Sequence, residues 1–247
     1  MKRWTLVLTA LGLYAAVLVA TAPATLIDRG LRDASQGRMR LAQATGTLWS
    51  GAGQVQSRDP RGRAGLSEGV KWRLRGIHPW PPGLAFRVEL DSGLRAFPLG
   101  LSWSELEVAD AEFSLPAAAL GQLLPQLAPL GLSGEAYVQI PRIAIGTGSV
   151  RGDAALQWRK AGSALTPVSP LGDYELRIQA HGTNGRSSLT TLQGPLQLDG
   201  QGSWSQDQKS QFLATARMPP PLQPQLAPFL RLVAVEQGDG SFQWRLK

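Results

Sequence analysis

The densest group of side chains able to do chemistry is four carboxylates within eight residues: Glu105, Glu107, Asp110 and Glu112. Two carboxylates that face each other across a cleft form the catalytic pair of most glycoside hydrolases. The spacing favours another interpretation, because Glu105 and Glu107 alternate with apolar residues as the solvent-facing positions of a β-strand do. The alternation changes phase at Ala109 and Asp110 and then resumes, which predicts a bulge or a kink in that strand. We therefore expect the solvent-facing side of an irregular strand, and catalysis by these carboxylates is the weaker hypothesis.

The remaining reactive side chains form no recognisable catalytic or metal-binding arrangement. The chain has no cysteine and two histidines, His78 and His181, each next to a turn-forming residue. Isolated histidines without acidic or thiol companions at ligand spacing are typical of the protein surface. The glycine-rich run 146–152 lacks the Gly-Lys-Ser/Thr ending of a phosphate-binding loop, and the pattern after it is that of a strand. We expect no catalytic, cofactor-binding or metal-binding residues, no cofactor and no enzymatic activity.

One segment stands apart from the rest of the sequence: residues 4–22 carry no charge and directly follow Lys2 and Arg3. As a helix rising about 1.5 Å per residue, this segment matches the roughly 30 Å hydrocarbon core of a bilayer. The two cations favour a cytoplasmic amino terminus and place the rest of the chain across the membrane. The predicted membrane anchor includes Trp4, Leu6, Leu11, Tyr14, Val17 and Val19.

A cleaved secretory signal is the alternative interpretation of this segment. Ala20, Thr21 and Ala22 provide the small residues of a cleavage site. Pro23 follows at once, and the apolar run exceeds the 7–15 residues or so of a usual signal core. The sequence therefore favours an uncleaved anchor.

The net charge of +7 is distributed unevenly along the chain. Residues 25–95 contain 12 Lys and Arg against 6 Asp and Glu, whereas residues 96–247 contain 11 against 12. The basic part is compatible with attraction to anionic lipid headgroups or to an acidic partner, and equally with the solvated face of arginine-bearing strands. We expect no nucleic-acid partner, because the predicted compartment contains none.

The body of the chain is predicted to be mainly β and antiparallel. Short runs alternate between apolar and polar residues and are bracketed by glycine or proline, as in strands with one buried and one wet face. The clearest runs lie at 38–41, 70–75, 84–91, 154–160, 174–180, 212–216 and 242–246. A short helix broken near Pro125 is expected within 116–129, and prolines disfavour a clean helix before Pro224.

The predicted organisation is a cytoplasmic terminus and anchor over residues 1–24, followed by a periplasmic β-rich domain over 25–247. A further hypothesis divides that domain into two related halves, at about 38–130 and 131–247. The hypothesis depends on the pentapeptide PQLAP, which occurs at 125–129 and 224–228, and on a Trp-Arg motif. The motif occurs at 72–73, 158–159 and 244–245.

Several segments, taken in order, resemble the type II secretion system protein N family. They are the anchor, Gly46–Gly51, the basic strand around Trp72, Ser169–Tyr174, Leu189–Leu196, Phe229–Arg231 and Gly238–Phe242. The resemblance implies a single-pass protein of the bacterial inner membrane with its body in the periplasm. It also implies kinship with AsmA-like proteins, which build long, curved antiparallel sheets, or half-pipes, with an apolar groove. The resemblance implies no catalytic residues in this chain.

Three functional hypotheses follow. The first is a non-catalytic component of the type II secretion system that supports export of folded proteins across the outer membrane by scaffolding. Its partners would be other secretion subunits of the inner membrane or periplasm, and membrane lipids. The second is an AsmA-like envelope protein that binds lipid in the groove of a curved sheet. The third, an envelope hydrolase, depends only on the carboxylates near residue 107.

Overall fold

The structure is a computed structural model of the whole chain. It describes residues 2–58, 64–79, 82–123, 127–205, 210–232, 234–238 and 240–246. Within these ranges, the side chains that lie outside the description are those of residues 2, 3, 5, 58, 64, 66, 79, 122, 123 and 246.

Fourteen strands form one antiparallel sheet, and the predicted mainly-β fold is confirmed. The strands are β1 (Met39–Gly46), β2 (Ser50–Arg58), β3 (Ala64–Pro79), β4 (Pro82–Leu90), β5 (Phe97–Ser102), β6 (Glu105–Pro116), β7 (Leu132–Gly146), β8 (Ser149–Ser163), β9 (Gly172–Gly182), β10 (Asn184–Gln193), β11 (Gln197–Trp204), β12 (Gln211–Arg217), β13 (Val235–Glu236) and β14 (Phe242–Leu246). Strands that are consecutive in sequence pair with each other up to β12, which pairs with β14, and β13 lies at the edge.

The sheet has one apolar face and one polar face. Directly opposed residues on paired strands share a face, because side chains alternate along each strand. The register places Trp72 opposite Val88, and Leu156 opposite Leu176, on what we call the apolar face. The opposite, polar face carries a second set of opposed residues, of which examples are Arg40 and Gln56, Lys71 and Glu89, and Gln157 and Glu175.

The predicted change of phase in β6 lies at Asp110, but it is not a bulge against β7. Ala109 pairs with Arg142 and Ala111 pairs with Ile140, so the register between β6 and β7 does not shift there. The register shifts between β7 and β8 instead, between Gln139 and Arg142. Asp110 has a φ of 49°, a left-handed conformation that aspartate tolerates better than most residues. This local irregularity keeps Val108 and Ala111 on the apolar face although they are three residues apart.

Four α-helices accompany the sheet: α1 (Lys2–Ala20), α2 (Thr25–Ala34), α3 (Ala118–Leu123) and α4 (Gln223–Leu230). The helix predicted within 116–129 is confirmed as α3, and the predicted break at Pro125 lies outside the described residues. Before α4, Pro220–Leu222 form a 3-10 turn, in keeping with the prolines there. Among the residues whose side chains the structure describes, no helix is long and apolar enough to cross a membrane.

Two separate hydrophobic cores lie on the apolar face. The first, the α2 core, lies where α2 packs on strands β1 to β6, and its buried members are Ala24, Leu41, Trp72, Phe86, Val88, Phe97 and Ala111. The second, the α4 core, lies beneath α4, and its buried members are Ala161, Leu171, Tyr174, Leu196, Ala216, Leu226, Ala227, Phe229, Leu230 and Phe242. The division into two halves near residue 130 stays a prediction.

Helix α3 closes on strands that are distant in sequence. It connects β6 to β7, yet it also contacts β2 and β3. Ala117 and Ala119, at its start, are buried. Because two strands lie between β3 and β6, and three between β2 and β6, α3 covers one end of the apolar face over the α2-core strands.

The α4 core makes a direct prediction about stability. Leu226 is fully buried in it, whereas Leu232, just beyond α4, is exposed. Leu226→Ala should lower the free energy of unfolding by about 2–5 kcal/mol, because it removes buried methyl groups and leaves a cavity. Leu232→Ala should change it by less than about 0.5 kcal/mol. Urea titration of the purified chain measures both, and equal effects of the two substitutions would contradict this core.

Candidate functional site

Three of the four carboxylates form ion pairs. Glu107 on β6 lies 2.6 Å from Arg142 on the neighbouring strand β7, and Glu105 on β6 lies 2.6 Å from Arg151 on β8, two strands away. Glu112 pairs at 3.1 Å with Arg95, in the connection between β4 and β5. Opposite charges on adjacent strands stabilise a sheet, which applies to Glu107 and Arg142. The ion pairs account for the three carboxylates as side chains on the solvent-facing side of β6.

The other candidate groups are equally dispersed. His78 and His181 are both exposed, on β3 and β9. The glycine-rich run 146–152 forms the turn from β7 to β8, in which Gly146 pairs with Ser149. No cluster of three or more potential metal ligands occurs among the residues that the structure describes.

The junction between α1 and the sheet is built by the Gly46–Gly51 segment. The Leu48 amide donates to the Ala22 carbonyl at 2.8 Å, and the Trp49 indole donates to the Val19 carbonyl at 2.8 Å. The turn itself is fixed by Thr47, whose carbonyl accepts a 3.2 Å hydrogen bond from the Trp72 indole. The β1–β2 turn thereby connects the last turn of α1 to the α2 core.

The predicted anchor residues all lie on α1 with their side chains exposed. Its large apolar side chains have between 52 and 77% of their surface exposed, so the helix does not pack on the sheet. Lys2 and Arg3, predicted to set the orientation, begin α1, and their side chains lie outside the description.

A basic surface lies on the polar face near this junction. Arg73 on β3 stands directly opposite Arg87 on β4, and both are exposed. Lys71 and Arg75 line the same shallow depression, with Glu89 as its one acidic lining residue. Like charges directly opposed across strands destabilise a sheet. The arrangement can therefore attract anionic groups at a small cost in stability.

The apolar face between the two cores carries a row of half-buried aliphatic and aromatic side chains, of which Leu189 packs against the α4 core. The register aligns them directly opposite one another across β6 to β10: Phe113, Val138, Leu156, Leu176 and Leu189. We call these five residues the central row. Ile178, beside the central row, has 36% of its surface exposed.

A second row lies at the end of the sheet where α1 joins. It runs across β3 to β8 through Ile77, Leu84, Leu101, Leu106, Ile145 and Val150. Ile77 is 69% exposed, and Leu101 and Ile145 are also exposed. Trp103, in the turn from β5 to β6, is 93% exposed. We call this row together with Trp103 the junction-end row; sequence analysis did not identify it.

Buried polar groups in the sheet are satisfied internally. Hydrogen bonds from Arg177, at 2.6 Å, and Gln157, at 3.1 Å, lower the pKa of Glu175. Burial raises the pKa of Tyr174, whose hydroxyl donates to the Leu196 carbonyl at 2.9 Å. These groups have structural partners, and the candidate binding surfaces considered further are the two apolar rows and the basic surface.

The fold and site define a class of β protein in which one antiparallel sheet exposes part of its apolar face. A family model described as "Type II secretion system (T2SS), protein N" matches residues 37–245. Type II secretion system protein N of Klebsiella pneumoniae is 31% identical over 266 residues, which cover 99% of this chain and 95% of the relative. No solved structure matches significantly. The chain belongs to the type II secretion system protein N family.

The opposed arginines on the polar face predict a stabilising substitution. Arg87→Glu should convert the repulsive pair with Arg73 into an attractive one and raise the free energy of unfolding by about 0.2–1 kcal/mol. Arg186→Glu is the matched control, because the residues opposite Arg186 are the uncharged Gln179 and Ser203. Urea titration at low salt measures both variants. An Arg87→Glu chain no more stable than the Arg186→Glu chain would refute the repulsion.

Proposed function

We propose that this chain is a non-catalytic component of the type II secretion system, anchored in the bacterial inner membrane with its body in the periplasm. In this role it supports export of folded proteins across the outer membrane by holding other secretion subunits. Family membership over residues 37–245 supports a part in type II secretion. The observation that carries the scaffolding role is the central row, whose side chains are half-buried, together with Ile178 beside it, which has 36% of its surface exposed.

Helix α1 is the proposed membrane anchor. Its 19 residues extend about 28 Å at 1.5 Å per residue, close to the thickness of the hydrocarbon core. Exposed apolar side chains around its length suit a lipid environment, and Lys2 and Arg3 favour a cytoplasmic amino terminus. Cleavage before Pro23 would remove the hydrogen bonds that Ala22 and Val19 accept from the β1–β2 turn, which supports retention.

The body is proposed to curve into a half-pipe of the AsmA-like kind. Antiparallel sheets of many strands twist and coil, and contact of α3 with both β6–β7 and β2–β3 supports curvature towards the apolar face. The central row would then line a groove. A partner could contact this groove through apolar side chains or add a strand at an edge of the sheet.

A second candidate function is lipid binding in the same groove. The aliphatic character of both rows favours it, because acyl chains need no hydrogen-bonding partner. Reproducible phospholipid in mass spectra of gently purified protein would support lipid binding, and its absence would favour the scaffold.

Substitution on the apolar face should impair secretion, whereas substitution of the neighbouring polar residue should not. The proposed docking surface is the central row together with Ile178. Ile178→Glu places a charge in this surface, at a position exposed enough to tolerate it. Gln179→Glu makes the same acidic residue on the polar face. In a strain lacking the chromosomal copy, Ile178→Glu should leave exoproteins in the periplasm, and Gln179→Glu should restore their secretion.

Assays of secreted activity and immunoblots of the periplasm provide the measurement, with equal protein levels and protease resistance as the folding control. Normal secretion in the deletion strain would contradict a role in export. Full restoration by Ile178→Glu would contradict the docking surface while leaving the role in secretion standing.

A further inference from the structure

The junction-end row exposes large apolar side chains at one end of the sheet. Trp103 occupies the tip of a turn that the Ser102 hydroxyl closes. This hydroxyl accepts a hydrogen bond from the Glu105 amide at 3.1 Å and donates one to the Glu105 carbonyl at 3.0 Å. Tight turns favour small or polar residues. An indole with 93% of its surface exposed at such a position contributes nothing to the fold.

This row lies at the end of the sheet where α1 is attached. The Leu74 amide donates to the Trp49 carbonyl at 2.6 Å, which fixes β3 beside the turn that holds the end of α1. Strand β3 then continues beyond Leu74 to Ile77, which pairs with Leu84 at the start of β4. The β3–β4 hairpin therefore extends past the α1 junction.

The charges near this end match an anionic surface. Arg73, Arg75 and Arg87 lie on or beside the polar face at the same end, and none of them has a carboxylate within 4 Å among the described residues. Tryptophan concentrates at membrane–water interfaces, and arginine near an anionic leaflet is attracted to its headgroups. Apolar side chains beside arginines that have no ion-pair partner in the described chain are the composition of a surface that contacts lipid headgroups.

We propose that the junction-end row is a second membrane contact, in which Trp103 and Ile77 insert into the bilayer interface beside the helix anchor. The inference rests on the proposed anchor. Four strand spacings separate β5 from β1, so Trp103 lies about 19 Å along the sheet from the α1 junction. Two contacts this far apart fix the tilt of the sheet on the membrane, which a single helix cannot do. The body would thereby stand with its strands upright on the bilayer.

Depth-dependent quenching in vesicles tests this contact. The chain has no cysteine, so Trp103→Cys, Ile77→Cys and Leu11→Cys each provide a unique labelling site. Leu94→Cys is the matched control, an exposed apolar position in the connection between β4 and β5 at the opposite end of the sheet. Each full-length variant is labelled with the fluorophore NBD and reconstituted in phosphatidylethanolamine–phosphatidylglycerol vesicles. The lipids carry a nitroxide at the headgroup or deep in the acyl chain.

The headgroup nitroxide should quench NBD at positions 103 and 77, with a blue shift of their emission, and should leave position 94 unchanged. The acyl-chain nitroxide should quench position 11. Quenching at 11 without any at 103 and 77 would overturn the second contact and leave the anchor intact, and would assign the row to a protein partner. Absence of quenching at 11 would overturn the anchor itself.

Discussion

An open antiparallel sheet with one apolar face has to cover that face, and this constraint organises the molecule. Sandwiches solve the problem with a second sheet, and barrels solve it by closure. Here the described chain uses helices: α2 packs over the first strands, α4 over the last, and α3 covers one end. Three short helices cannot cover fourteen strands. The central row and the junction-end row are the consequence, and the proposed functions are the ways in which other molecules would cover them.

Alternation in the sequence predicted the faces of the sheet but not the number of its strands. The irregularity at Asp110 was predictable because the alternation of apolar residues changes phase there, but its form depends on the register with β7, which the sequence does not show. Strands β2, β10 and β11 escaped prediction because glycine occupies their apolar-face positions. A Cβ at Gly51 would meet the Trp72 ring, one at Gly185 would meet Trp204, and one at Gly202 would meet Phe212. At each of these glycines, a large side chain from the neighbouring strand occupies the space on the apolar face. The strand that carries the glycine therefore shows no alternation of apolar and polar residues in its sequence.

The motifs that carry the family resemblance prove to be structural. Gly46–Gly51 builds the junction with α1, while Leu171, Tyr174, Leu196 and Phe242 are members of the α4 core. They identify the family because the fold requires them. The candidate binding surfaces are harder to find in the sequence. Trp103 becomes a candidate contact residue only once its exposed position at the α1 end of the sheet is known. The opposition of Arg73 and Arg87 depends on the register of β3 and β4.

The central claim is that the uncovered apolar face is occupied in the assembled secretion machinery. Thiol reactivity of single-cysteine chains in native membranes tests it most directly, with Ile178→Cys on the apolar face and Gln179→Cys on the polar face. Maleimide labelling at 178 should be markedly slower when the other secretion subunits are present than when they are deleted, and labelling at 179 should be the same in both membranes. Equal labelling rates at 178 with and without those subunits would contradict the account.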